Sequence, residues 1–270
     1  MVRLLRCRFA VAFALTFVAA LLAMAPATAD GLADAAITDV HLGVLDLTPQ
    51  DALAAGFTLE AVRPALSAIL YGEGADYYSA GYPGPDVPAS IALALGDSVI
   101  AARTDGALGS VSSRAVGTPM LGSYGYGTAS ASEEVRVMLA PHSVLTIGGH
   151  LSSLAYRNGP VRDYDAVGLT TVSIVDANGY TFTQLARQSL SYADWPDRMA
   201  IDEDFMLAFA NGTAERQAVS VYFQAWSEVT RSLAPVPEPC ALAMLVAGLG
   251  VMAIGRKRSR SRHLPQARRP

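Results

Sequence analysis

The side chains of this 270-residue chain that could do chemistry are few and scattered. His41, His142 and His150 offer imidazole nitrogen, a common transition-metal ligand, but none has a second His or Cys at metal-site spacing. They are expected as surface or packed side chains, with no transition metal. Asp163-x-Asp165 and Asp202-Glu203-Asp204 group the hard oxygen atoms that calcium takes. No twelve-residue binding loop surrounds them, so Asp163, Asp165, Asp202 and Asp204 are candidates for calcium at most, and no other cofactor is expected. Trp195 and Tyr192, within Tyr192-Ala193-Asp194-Trp195-Pro196, and the tyrosines Tyr71, Tyr77, Tyr78, Tyr82, Tyr124 and Tyr126 carry aromatic faces that suit the C–H groups of a sugar ring.

Gly96-Asp97-Ser98, after the apolar run Ile91 to Leu95, resembles the nucleophile block of GDSL-type esterases. In such an enzyme the serine attacks an ester while a histidine takes its proton, and the family supplies that histidine late in the chain as Asp-x-x-His. Here the one histidine after His150 is His263, in the basic tail. Gly-Asp-Ser therefore reads as a turn between strands. Asn211-Gly212-Thr213 fits a glycosylation triplet but reads as a turn after the strand ending at Ala210, and no glycan is inferred. No nucleophile has a base that can be placed beside it, and the chain is expected not to be an enzyme.

The elements that must position these residues read as strands. In Ala218 to Thr230, Val219, Val221, Phe223, Ala225 and Val229 fall on one face, and Tyr222, Gln224, Trp226 and Glu228 on the other. That period of two marks a half-buried strand. Gly168 to Asp176 and Tyr180 to Leu190 flank Ala177-Asn178-Gly179, and Asn-Gly tolerates the positive φ of a tight type I′ hairpin. Further strands are expected over Ile37 to Leu47, Phe57 to Val62, Ser90 to Leu95, Val135 to Leu139, Val144 to Tyr156 and Asp204 to Ala210. Pro49 to Ala55 and Pro64 to Leu70 look helical; Tyr71 to Pro88 and Gly117 to Ser132, rich in Gly and Tyr, look like long loops. Many strands separated by Gly, Pro, Asn and Asp predict an all-β chain, a jelly-roll-like antiparallel β-sandwich over residues 30–235.

The two ends are of another kind. Arg3, Arg6 and Arg8 precede an apolar run from Phe9 to Ala23, and Ala27-Thr28-Ala29 supplies small residues for signal peptidase, so residues 1–29 read as a secretory signal peptide. Near the other end, Cys240 to Gly255 is sixteen residues without a charge. As a helix it would span about 24 Å, a short membrane crossing that is workable if the basic residues after it snorkel. Arg256, Lys257, Arg258 and Arg260 form a stop-transfer cluster expected on the cytoplasmic side. Pro237 and Pro239 lack amide donors and hold Glu238 in an extended backbone.

The order Val236-Pro237-Glu238-Pro239, apolar helix, basic cluster resembles the PEP-CTERM sorting signal of Gram-negative bacteria that build exopolysaccharide-rich biofilms. The resemblance covers only about the last thirty-five residues. It implies residues 236–262 as the sorting signal, residues 263–270 as a cytoplasmic tail, and recognition by the membrane protein exosortase. A chain so sorted is expected to anchor transiently in the inner membrane with its body in the periplasm, and then to reach the cell surface or the extracellular matrix, where exopolysaccharide is a prospective partner. Cys240 and the long tail depart from the usual pattern of the family.

Between the ends, ten arginines and no lysine face twenty-three acids over residues 30–235, a net charge of −13. Nucleic acid, which is bound by Lys and Arg meeting phosphates, is excluded as a partner on that balance. The two cysteines, Cys7 and Cys240, lie outside this region, so core burial alone must stabilise it. A structural or interaction role in the envelope is the expectation, with a carbohydrate-binding or adhesive module as the alternative and an envelope hydrolase third.

Overall fold

A computed structural model of the chain describes residues 30–51, 54–72, 75–118, 125–158, 164–176, 178–192 and 195–231. The signal peptide, the sorting residues Val236, Pro237, Glu238 and Pro239, and the basic cluster Arg256, Lys257, Arg258 and Arg260 lie outside them, as do Asp163 and Tyr124. The described residues form twelve strands: β1 (Asp30–Asp46), β2 (Phe57–Gly72), β3 (Ala75–Gly81), β4 (Ala89–Leu95), β5 (Ser98–Thr104), β6 (Val111–Gly117), β7 (Tyr126–Leu139), β8 (Ser143–Asn158), β9 (Tyr164–Asp176), β10 (Thr181–Ser191), β11 (Arg198–Asn211) and β12 (Gln217–Arg231). They make two six-stranded sheets, sheet A in the order β11-β8-β1-β6-β5-β4 and sheet B in the order β10-β9-β12-β7-β2-β3. Every pairing is antiparallel. The all-β, two-sheet architecture expected for residues 30–235 is what the described residues adopt.

Period-two patterning drives this arrangement. Val219, Val221, Phe223, Ala225 and Val229 of β12 are all buried, in one core with Ala33, Ala35 and Ile37 of β1 and Val111 and Ala115 of β6, the strands of the opposite sheet that pack on β12. Four expectations need correction. Pro64 to Leu70 is strand, not helix: Pro64, Leu66, Ala68 and Leu70 alternate inward, and Pro64 is tolerated because β3 pairs with β2 only from Leu66 onward, leaving one side without a ladder there. Near Pro49, Asp51 N donates to the Thr48 carbonyl at 3.0 Å and closes a turn, so the described part of Pro49 to Ala55 is not helical either. The Gly- and Tyr-rich stretches are not wholly loops, since β3 lies inside the first and β7 starts at Tyr126 inside the second. Alternation outweighs composition in both. Strands β5 and β6, built from SVIAART and VSSRAVG, were not expected, because Ser and Arg on their outward faces dilute the apolar signal.

The β9–β10 hairpin forms where expected, but its turn is longer than type I′. Asp176 N bonds the Tyr180 carbonyl, which closes a three-residue loop with Gly179 at φ 85°; a left-handed third residue is the usual ending of such loops. Asp176 Oδ1 accepts the amides of Asn178 and Tyr180, both at 2.8 Å.

In the middle of the sandwich the sheets are pinned unusually close. On sheet A, Ser153, Ala35 and Ser113 are register neighbours on the inner face. On sheet B, Ser189, Gly168 and Ser227 are too. Ser113 Oγ meets Ser227 Oγ at 2.8 Å and Ser153 Oγ meets Ser189 Oγ at 2.7 Å, and all four serines are buried. Ser227 and Ser189 also lie 3.1 Å from the carbonyls of Ser113 and Ser153. Between these bridges Gly168 approaches so near that a Cβ there would lie 2.5 Å from the Asp34 carbonyl oxygen. Only glycine fits such an approach.

Candidate functional site

The pinch has a counterpart on the outside. Above Ser113, Ala35 and Ser153, the outer face of sheet A carries a trough of about 520 Å³. Its floor follows from the register: Asp202 pairs with Ser152, Ser152 with Ala36, Ala36 with Ser112, and Ser112 with Arg103. One row across five strands thus reads acid, Ser, Ala, Ser, base. Small side chains in the middle leave the floor low, and the serine bridges beneath draw the backbone inward. The adjacent row places Asp34 beside Arg114, with Leu154 on its other flank, and Arg198 from the start of β11 closes the far end.

The electrostatics of the rim are uneven. Arg114 Nη1 lies 3.4 Å from Asp34 Oδ2; burial pushes the Asp34 carboxyl above the usual carboxylate range, and the nearby guanidinium opposes this. Among the described residues, no ion pair involves Arg103 or Arg198. At the trough's edge His150 is held between two carboxylates, with Nδ1 2.9 Å from Asp204 Oδ1 and Nε2 2.5 Å from Asp202 Oδ1. An imidazole can donate from both nitrogens only as the cation. The hydrogen bond to Asp204, followed by that to Asp202, raises the His150 pKa above the ordinary value.

This arrangement decides what the sequence candidates can do. Asp202 and Asp204 close on His150 rather than converging on a shared point, and no group of three His, Cys, Asp or Glu that could hold a metal ion occurs among the described residues. Asp165 lies across the molecule on sheet B, where burial raises its carboxyl and Arg157 opposes the shift. His142 sits at the turn before β8 with φ 50°, eight residues from His150 along one strand, or about 26 Å. His41 lies over Gly148, its Nδ1 3.2 Å from the Asp39 carbonyl.

Ser98 is fully buried and bonded to Thr118, 3.0 Å from its amide and 2.9 Å from its hydroxyl. Gly96, at φ 60°, turns the chain between the paired residues Leu95 and Ser98, so Gly-Asp-Ser is a hairpin turn. Trp195 and Tyr192 are joined by a backbone bond, Trp195 N to Tyr192 O at 3.1 Å, and Trp195 is half-exposed. Neither lines the trough. The segment is tied down by the buried Arg157, whose Nη2 donates to Asp197 Oδ1 at 3.0 Å and to the Trp195 carbonyl at 3.3 Å. Tyr71 and Tyr126 stack on one another, ring centroids 5.9 Å apart.

The sequence reading missed Arg103, Arg114, Arg198 and Arg157. The first two were within reach, since Arg103 and Arg114 alternate with inward-facing Ala102, Thr104, Ser113 and Ala115. No family model, no curated protein and no solved structure matches the chain.

Proposed function

We propose that this chain is an exported β-sandwich protein of the cell envelope or extracellular matrix, delivered through exosortase and serving a structural or interaction role alongside exopolysaccharide. The observation that carries this reading is the C-terminal order of Pro237-Glu238-Pro239, an uncharged sixteen-residue stretch and an arginine-rich cluster, in a chain that opens with an export signal. A two-sheet domain without cysteine, and with a net charge of −13 over residues 30–235, fits an extracellular setting. The winding of the strands, with β12 returning beside β9 and β6 returning beside β1, supports a jelly-roll-like description of the domain. Signal peptidase acts at Ala29, the inner membrane holds the chain transiently, and exosortase processes it near Pro237 to Cys240. Intact-mass measurement of the protein from hosts with and without an exosortase tests this. A mature N-terminus at Asp30 and an exosortase-dependent loss of the arginine tail are expected; a tail kept in both hosts overturns the sorting reading in favour of a plain anchor.

A second reading, a carbohydrate-binding module, is favoured by one observation: a trough with mainly apolar walls, serine hydroxyls on its floor and arginines at its rim stands open on the outer face of sheet A. Nothing in the arrangement of Ser98 or His150 favours hydrolysis, because the serine is buried and both nitrogens of the histidine are engaged.

A further inference from the structure

We infer that the trough on sheet A binds a linear acidic glycan, gripping its carboxylates with Arg103 and Arg198 at opposite margins and with Arg114 between them. The inference rests on the reading of the chain as an exported matrix protein and specifies the ligand. Its starting point is a local reversal of charge. Three of the ten arginines of an acidic domain line the trough against two acids, Asp34, which pairs with Arg114, and Asp202, which shares His150 with Asp204 at the edge. Arg103 and Arg198 are left uncompensated. The Debye length at physiological salt is about 8 Å, so an approaching ligand feels these nearby groups and little of the remote acidic surface. Guanidinium groups are suited to forked, two-bond recognition of carboxylate.

Geometry selects a polymer. Arg103 on β5 and Arg198 on β11 are separated by four strand intervals, about 19 Å at ~4.8 Å each, and by four residues along β11 from the row of Arg103, about 13 Å, so their backbones stand roughly 23 Å apart. One small anion reaches Arg103 and Arg114, which are diagonal neighbours, but not Arg198 as well. The floor selects a sugar over a peptide. Strands β8, β1 and β6 are each hydrogen-bonded on both sides, so no free edge is offered for strand addition. Ser112 and Ser152 instead present hydroxyls along the path between the charges, partners for a ligand that carries a hydroxyl at nearly every carbon.

The test uses the full chain in a non-ionic detergent, with binding to immobilised polygalacturonate, neutral dextran and poly-L-glutamate read by biolayer interferometry at low and high salt. Binding to polygalacturonate that weakens with salt, and none to dextran, is expected. Arg103→Gln and Arg198→Gln should each weaken it about tenfold, the loss of one charge-assisted hydrogen-bonded contact. Arg63→Gln, on the outer face of sheet B, should leave it unchanged. Undiminished binding by the Arg103→Gln/Arg198→Gln double variant overturns the inference, as does preference for poly-L-glutamate, which would assign the trough to an acidic protein. A chain trimmed at both ends as expected but indifferent to polygalacturonate sinks this inference alone. A chain that binds but keeps both ends sinks the sorting reading and not the site.

Discussion

Replacing Gly168 with alanine is the sharpest probe of the pinched sandwich. The added methyl would lie 2.5 Å from the Asp34 carbonyl oxygen and 3.0 Å from that of Leu154, where ordinary contact begins near 3.4 Å. Both obstacles are backbone atoms of paired central strands, so no side chain can swing aside. Sheet A must retreat by nearly 1 Å at this point. Overpacking of that kind costs about 1–3 kcal/mol. The retreat also stretches the Ser113–Ser227 and Ser153–Ser189 bridges on either side, each worth roughly 1 kcal/mol. A total of about 3–5 kcal/mol follows, and at ~2–4 °C per kcal/mol for a domain of this size the melting temperature should drop by roughly 6–20 °C. Thermal unfolding followed by circular dichroism measures it, with Gly212→Ala, whose Cβ would meet nothing within 4 Å, as the neutral control. A Gly168→Ala protein that melts within about 1 °C of the parent would show that the sheets are not held together there, and the physical origin given for the trough would fall with it.

Two pH-dependent effects are expected. Glu133 is buried and accepts the Gly109 amide at 2.7 Å; burial, the largest influence, raises its pKa, the Gly109 bond opposes this, and Asp86 and Asp105 add to the rise. Ionising it therefore favours the unfolded chain: stability should decline as pH climbs from the ordinary glutamate value through the raised one. Glu133→Gln should remove that decline, and denaturant melts at pH 4 and pH 7.5 that shift in parallel for both proteins would contradict it. His150 gives the same direction of pH dependence by a different route, because here the fold favours the charged form: its raised pKa gives stability that is complete below the ordinary histidine value of about 6.5 and lost as pH rises through the folded value. Its imidazole protons should titrate above that ordinary value by NMR, and Asp204→Asn should lower the midpoint; an unshifted midpoint in the variant would mean that the two side chains are apart in solution.

How far the sequence could be read depends on which force decided each element. Strand β12 was legible because its inward positions carry Val and Phe, whose burial dominates the local free energy. The β9–β10 hairpin was legible from Asn178-Gly179, although the actual loop needed Asp176 to cap it. Pro64 to Leu70 misled because Ala and Leu favour helix in isolation, whereas the pairing of β2 with β7 over nearly its whole length overrides that preference. The trough could not be foreseen. It arises from registers that bring residues 36, 103, 112, 152 and 202 into one row, and register is set by long-range packing rather than by neighbours in the chain. The serine bridges were hidden for a similar reason, since Ser113, Ser153, Ser189 and Ser227 look like outward-facing polar positions until two sheets place them against each other. The grip of Asp202 and Asp204 on His150 was missed because acids and histidine were weighed as separate metal ligands and not as partners.

The places of the first and last strands carry a consequence for how the molecule comes into being. β1 lies between β6 and β8, and β12 between β9 and β7; neither terminal strand is an edge. A chain synthesised from its N-terminus holds β1 without either neighbour until residues beyond 110 have emerged, and sheet B stays split into two halves until β12 arrives to join them. Nearly the whole polypeptide must therefore be present before either layer can close, and topologies of this sort form slowly. The nascent protein stays open until the fifteen-residue β12 is delivered, and final compaction of the two sheets follows that event.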